Sequence, residues 1–216
     1  MPRPRTTSDQ TILDAARAVF MRDGPGASTA AVAKFAGISE GLLFKRFPSK
    51  EALLARALQC PHELWQVQTL ERVGRGDIRI ETQALIRELI GFFRHVVPRM
   101  MMLMSSGGLD PVAFWRANPQ AGPAVAVKRL GEWVAAEVAL GRLRQTHPEI
   151  VARAMAGACH HFVFFELAGL QQHVELQTDE SFAAELTELL FAGIGSATSM
   201  AAANDSPPVP PVEVHP

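Results

Sequence analysis

The 216-residue chain has no tyrosine, only two cysteines, and 7% aromatic residues in all. Each shortage excludes something. Cys60 and Cys159 have neither metal-ligand spacing nor enough companions for a disulfide framework, so they are expected as reduced, buried thiols. No unbroken run of some eighteen apolar residues occurs, so no membrane span is expected. The opening MPRPRTTSDQ lacks the apolar stretch of a secretory signal, which leaves a cytoplasmic location as the expectation. There is no nucleotide-binding glycine loop, no nucleophile elbow and no metalloprotease helix, so neither an enzyme nor a cofactor is implied. Cys159-His160-His161 holds metal-ligating residue types. On a helix, three consecutive side chains diverge and cannot converge on one ion. No metal is expected there, only a packed or interface histidine pair.

Net charge is also nearly absent, at −1, but it is unevenly spread. Residues 1–50 carry eight Lys/Arg against four acids, and the remainder carries 13 against 18. A basic N-terminal module on an acidic body suits a polyanionic partner for the first part alone.

What is present is helical periodicity, with no alternating strand pattern, and the fold class is all-α. Ile12, Ala16, Val19 and Phe20 share one face of a helix that begins near Asp9 and ends at Gly24-Pro25. From Ser28 to Glu51 the chain reads STAAVAKFAGISEGLLFKRFPSKE. It predicts a helix over Thr29–Ala36 with Val32, Phe35 and Ala36 inward, a turn at Gly37, and a second helix over Glu40–Phe47 capped by Ser39. Ala33 is small enough for close helix crossing, and Leu43 returns the contact, which is the requirement of a helix-turn-helix. A fourth helix, capped by Ser49, carries Leu53, Leu54, Ala57, Leu58, Leu64 and Trp65, with a break expected at Pro61.

Further on, Ile78–Val97 reads as a long amphipathic helix. Pro98 is expected to interrupt it before a Met-rich piece over Arg99–Met104. A short element around Asp110–Ala117 and a helix from Val125 to about Leu143 follow. Two final helices run over Glu149–Gly169, opened by Pro148, and from Asp179 through Ala197. Both mix bulky with small apolar residues. The resulting domains are a basic arm (1–8), a helix-turn-helix unit (9–50), a helical body (51–200) and a Pro-rich tail (201–216).

The 45 residues from Gln10 to Leu54 resemble the TetR family of transcriptional regulators. The family pattern, A-G-V/I-S-x-G-x-L-Y-x-H-F-x-S-K-E-x-L, is matched by Ala36-Gly37-Ile38-Ser39-Glu40-Gly41-Leu42-Leu43-Phe44-Lys45-Arg46-Phe47-Pro48-Ser49-Lys50-Glu51-Ala52-Leu53, with Thr29 at the start of the preceding helix. Phe44 stands where Tyr is usual and Arg46 where His is usual. The resemblance implies base-edge contacts by Ser39, Gly41 and Leu42. It also implies phosphate contacts by Thr29 and Lys50, with Lys45 at a base or phosphate and Arg46 at a phosphate. Phe44 occupies a contact position without a hydroxyl, so binding is expected to be strongly charge-driven and salt-dependent. Arg3 and Arg5 are either a minor-groove arm or a plain solvated tail.

The resemblance further implies a homodimeric, ligand-responsive regulator, a repressor by expectation, bound to a near-palindromic double-stranded DNA operator. The alternative is a constitutive helical DNA-binding or architectural protein without an effector. A small apolar or aromatic effector would meet Phe92, Met100, Met104, Trp115, Phe162 and Phe165, which as single residues read equally as core. The dimer interface is expected at Ala154, Ala158, Phe162, Leu186, Leu190, Gly193 and Ala197, from the last two helices.

Overall fold

The computed structural model of the protein describes residues 7–59, 69–118, 123–173 and 177–192. Among the described residues there are helices and no strand. They are α1 (Asp9–Asp23), α2 (Thr29–Ala36), α3 (Glu40–Arg46), α4 (Lys50–Leu58), α5 (Ile78–Ser105), α6 (Pro111–Ala117), α7 (Pro123–Ala139), α8 (Pro148–Leu167) and α9 (Asp179–Ala192), with a 3-10 turn over Leu170–His173. Arg3, Arg5, Cys60, Pro61, Leu64, Trp65, Gly193, Ala197 and the tail lie outside the described residues.

The first four helices start where serine chemistry puts them. Ser8, Ser28, Ser39 and Ser49 each accept a hydrogen bond from the amide three residues on, at 3.1–3.2 Å. Each bond satisfies one of the donors that a first helical turn leaves unpaired, worth about 1 kcal/mol. Gly37 ends α2 in the left-handed region at φ 68°, and the Ile38 amide returns to the Ala33 carbonyl at 3.0 Å. Ile12, Val19, Phe20, Val32, Ala33, Leu43, Leu53 and Leu54 then close one core.

That core is not confined to the N-terminal unit. Met102 and Leu103 from the end of α5, and Phe114 from α6, are buried in it. A boundary at residue 50 therefore divides the chain but not the packing. A second core joins Ile86, Leu89, Ile90, Phe93, Val96 and Val97 of α5 to α7, α8 and α9. At the far end of the body, Leu85, Trp133 and Val134 form a third, smaller cluster.

Two expectations are overturned. Pro98 does not interrupt the long helix, since α5 runs through it for 28 residues. Proline inside a helix costs about 3 kcal/mol. Here Val96 and Val97 on one side and Met102 and Leu103 on the other are all buried. Burying such side chains contributes about 1.5–3 kcal/mol each, which outweighs the local penalty. Phe35 does not face inward and is 58% exposed, while Val32 and Ala33 alone of α2 are buried.

Candidate nucleic-acid interface

The turn at Gly37 presents α3 on the outside of the N-terminal unit, anchored from beneath by Leu43, which is 1% exposed. Gly41, Phe44 and Lys45 are exposed, Ser39 is exposed beside them, and Leu42 and Lys50 are half-buried. A Cβ at Gly41 would meet nothing within 4 Å, so no intramolecular contact requires glycine there. The Ser39 oxygen is engaged as the cap of α3, which leaves its hydroxyl proton free to donate outward. Phe44 is 42% exposed and brings an apolar ring to this surface.

Two of the predicted contacts have partners of their own. The Thr29 hydroxyl donates to Glu40 Oε1 at 2.6 Å, linking the starts of α2 and α3. Arg46, expected on a phosphate, donates to the Thr7 carbonyl and to Asp9 Oδ1 at 2.9 Å. Its guanidinium holds the start of α1 against the end of α3. Sequence reasoning missed Glu40 altogether. A carboxylate at the first position of a recognition helix is a signal that was legible, and the structure places it at the surface beside Thr29.

In the body, the six residues expected around an effector are spread between the two cores and the exposed surface. Trp115 stacks edge-on with Phe114 at 4.9 Å on the N-terminal core, and Met104 is 73% exposed. Phe92, Met100 and Phe162 pack on the second core, Phe162 against Phe182 at 4.4 Å, and Phe165 lies against His161 at 4.2 Å. One cavity, of about 240 Å³, is lined by Thr82, Trp133, Arg142, Val151, Met155 and Leu190 among others, and a more open one, of about 560 Å³, lies between Lys128, Glu132, Pro148 and Arg153. Of the residues on the smaller cavity, only Leu190 is a candidate site residue in the sequence, and only at the dimer interface.

Cys159, His160 and His161 diverge. Cys159 is fully buried, and burial pushes its thiol up to about 12, far from a reactive thiolate. His160 meets Phe93 edge-on at 5.5 Å, and burial, with His161 next to it, holds its imidazole below the usual range. Among the described residues, no group of three or more His, Cys, Asp or Glu side chains is arranged to hold a metal.

The α8 surface is divided by periodicity. Ala152, Met155, Ala156, Cys159 and Val163 face the core. Ile150, Ala154, Gly157 and His161, at helical spacing on the other side, are exposed. An eighteen-residue window of this helix has a mean hydropathy of 1.2, yet only 28% of it is buried within the chain. On α9, Leu189 is 48% exposed, and Leu186 and Leu190 are half-buried.

A capped helix-turn-helix with an exposed second helix, seated on a large all-helical body, defines a helix-turn-helix DNA-binding protein of two-part design. Residues 12–57 match the model of the bacterial regulatory proteins of the tetR family. Residues 92–193 match the C-terminal domain of AefR-like transcriptional repressors. Together the two matches span more than half of the chain, which belongs to the TetR family of transcriptional regulators.

Solved structures agree on the fold at low sequence identity. A putative TetR-family regulator from Mesorhizobium loti is 17% identical with a TM-score of 0.69, covering 85% of this chain and 95% of that one. FadR from Bacillus subtilis, in complex with stearoyl-CoA, is 14% identical with a TM-score of 0.66, covering 87% and 100%. AibR, in complex with isovaleryl coenzyme A and operator DNA, is 19% identical with a TM-score of 0.58, covering 84% and 97%. No curated protein matches the chain.

Proposed function

We propose that this TetR-family regulator is a homodimeric cytoplasmic repressor. In this reading it holds a near-palindromic operator and leaves it when a small apolar or aromatic effector binds the helical body. The exposed apolar stripe of α8 carries the reading. Ile150, Ala154 and Gly157 lie on a helix too apolar to remain solvated, and small residues let a second copy approach closely. Pairing of α8 and α9 about a two-fold axis sets two α3 helices one DNA turn apart, about 34 Å. Thr29, Ser39, Gly41, Leu42, Phe44, Lys45 and Lys50 are the contacts on each half-site. Arg46 holds α1 in place.

The matched AefR-like repressor domain supports the repressor sign. FadR and AibR, with their acyl-CoA ligands, support a body of this fold that takes an organic effector. Release follows only to the extent that the effector favours the DNA-incompetent state. Sedimentation tests the assembly: the protein runs at twice the 23.5 kDa chain mass at micromolar concentration, and Ala154→Glu shifts it to the monomer. A wild-type monomer at that concentration contradicts the reading.

A further inference from the structure

The cavity of about 240 Å³ sits at the end of the body remote from the DNA-reading unit. α5 fixes the distance. Thr82 lines the cavity and Leu103 is packed in the N-terminal core, so the two are about 30 Å apart at 1.5 Å per residue. The buried part of the lining is apolar, with Trp133, Val134 and Met155 at 0–1% exposure. The solvent side carries Arg142, Arg144 and Thr146.

Two polar features stand out against that apolar lining. Arg142 is held from behind: its Nη2 donates to the carbonyls of Arg75 and Gly76 at 2.6 and 3.0 Å, and its Nε lies 3.1 Å from the buried carboxylate of Glu137. Glu137 itself accepts the Gly74 amide at 3.0 Å, so one carboxylate and one guanidinium tie the 72–76 turn to the cavity rim. Arg144, exposed, forms no ion pair among the described residues. With Glu137 offset by Arg142, the rim keeps an excess of positive charge. An engineered apolar cavity of about 150 Å³ holds benzene, so this one has room for a substituted ring and not for a long acyl chain.

We propose that this cavity is the effector seat and that it takes a compact aromatic monocarboxylate. The ring enters among Trp133, Val151 and Met155, and the carboxylate is held by Arg142 and Arg144. The proposal rests on the ligand-responsive reading only for its link to DNA. The site itself stands on the cavity and its charges.

The test is calorimetry on the full-length protein with 4-ethylbenzoate, its neutral isostere 4-ethylbenzamide, and decanoate. 4-Ethylbenzoate is expected to bind, with the amide about tenfold weaker or worse, because a hydrogen-bonded charge is lost. Decanoate, of about the same size but without a flat ring, is expected to bind about tenfold more weakly or worse. Arg144→Gln, at an exposed position, is expected to weaken the benzoate by about fivefold or more with the melting temperature unchanged. Met155→Trp, which fills the cavity, abolishes binding. If that variant fails to fold, Val151→Phe serves instead. The site is overturned if no benzoate binds at millimolar concentration, if the amide or decanoate binds as well, or if Arg144→Gln has no effect. Fluorescence anisotropy on a duplex recovered by binding-site selection separates the two readings. Benzoate binding with DNA release supports both, whereas binding without release keeps the ligand site and contradicts the effector reading.

Discussion

Gly41 lies on α3 with open space where a side chain would be, and nothing in the free chain asks for glycine. In the proposed interface, glycine lets a DNA surface approach the backbone there. Alanine in a helix is favoured over glycine by up to about 1 kcal/mol. Gly41→Ala is therefore expected to keep or raise the melting temperature while weakening DNA binding at least tenfold. Paired thermal melts and anisotropy check it, and unchanged affinity removes Gly41 from the interface. Thr29 belongs to the same surface. Its hydroxyl is engaged by Glu40 in the free chain, so a phosphate at the proposed contact would displace that carboxylate. Glu40→Ala is expected to tighten binding to random duplex by several-fold, since it frees Thr29 and removes a charge that repels phosphate. Filter binding at fixed salt measures it, and equal affinity places the pair off the DNA face.

Among the elements, α5 does most to join the two units. Its early turns are in the body core and its last in the N-terminal core. Leu103→Ala deletes a buried side chain from the latter and is expected to cost about 2–5 kcal/mol. The readable consequence is loss of DNA binding from a change over fifty residues downstream of α3. Chemical denaturation followed by binding titration tests it. A stability loss with DNA affinity intact in the folded fraction means the two units do not communicate through α5.

The same helix is pinned to α8 and α9 by Arg94, which donates to Glu166 at 2.9 Å and to Asp179 at 2.6 Å. The Arg94 hydrogen bonds hold the Asp179 carboxyl below the usual range. The unfolded chain thus binds the proton more readily, and the pair's stabilisation is present above the ordinary carboxylate pKa and lost as pH falls through the lower, folded one. Asp179→Asn is expected to flatten the acid limb of the melting temperature below about pH 4. The change is modest, because these side chains are about a third exposed. An unchanged acid limb excludes the pairing as its source.

Over the whole molecule, what was legible in the sequence was what is local. Serine caps, the left-handed glycine and the spacing between them act within a few residues, so α1 to α4 could be placed from the sequence. Phe35 was misread because an eight-residue helix has barely two turns, and its neighbours settle which face is inward. Pro98 was misread because its penalty is local, whereas the burial that overrides it comes from two different cores. The cavity was not legible at all. Thr82, Trp133, Arg142 and Leu190 meet only after four segments pack, and each alone reads as ordinary core or surface. On α8 the sequence offered a helical period, with Ala154 expected at an interface through the resemblance, but Ile150 and Gly157 join it as one outward face only once the other side is covered.

The central claim, a two-fold pair of recognition helices reading DNA, is tested most directly by selecting binding sites from a randomised duplex library with the full-length protein. The expected result is an enriched motif with two inverted half-sites whose centres lie about one helical turn, 34 Å, apart. A single asymmetric half-site, or no enrichment over the starting library, would contradict it.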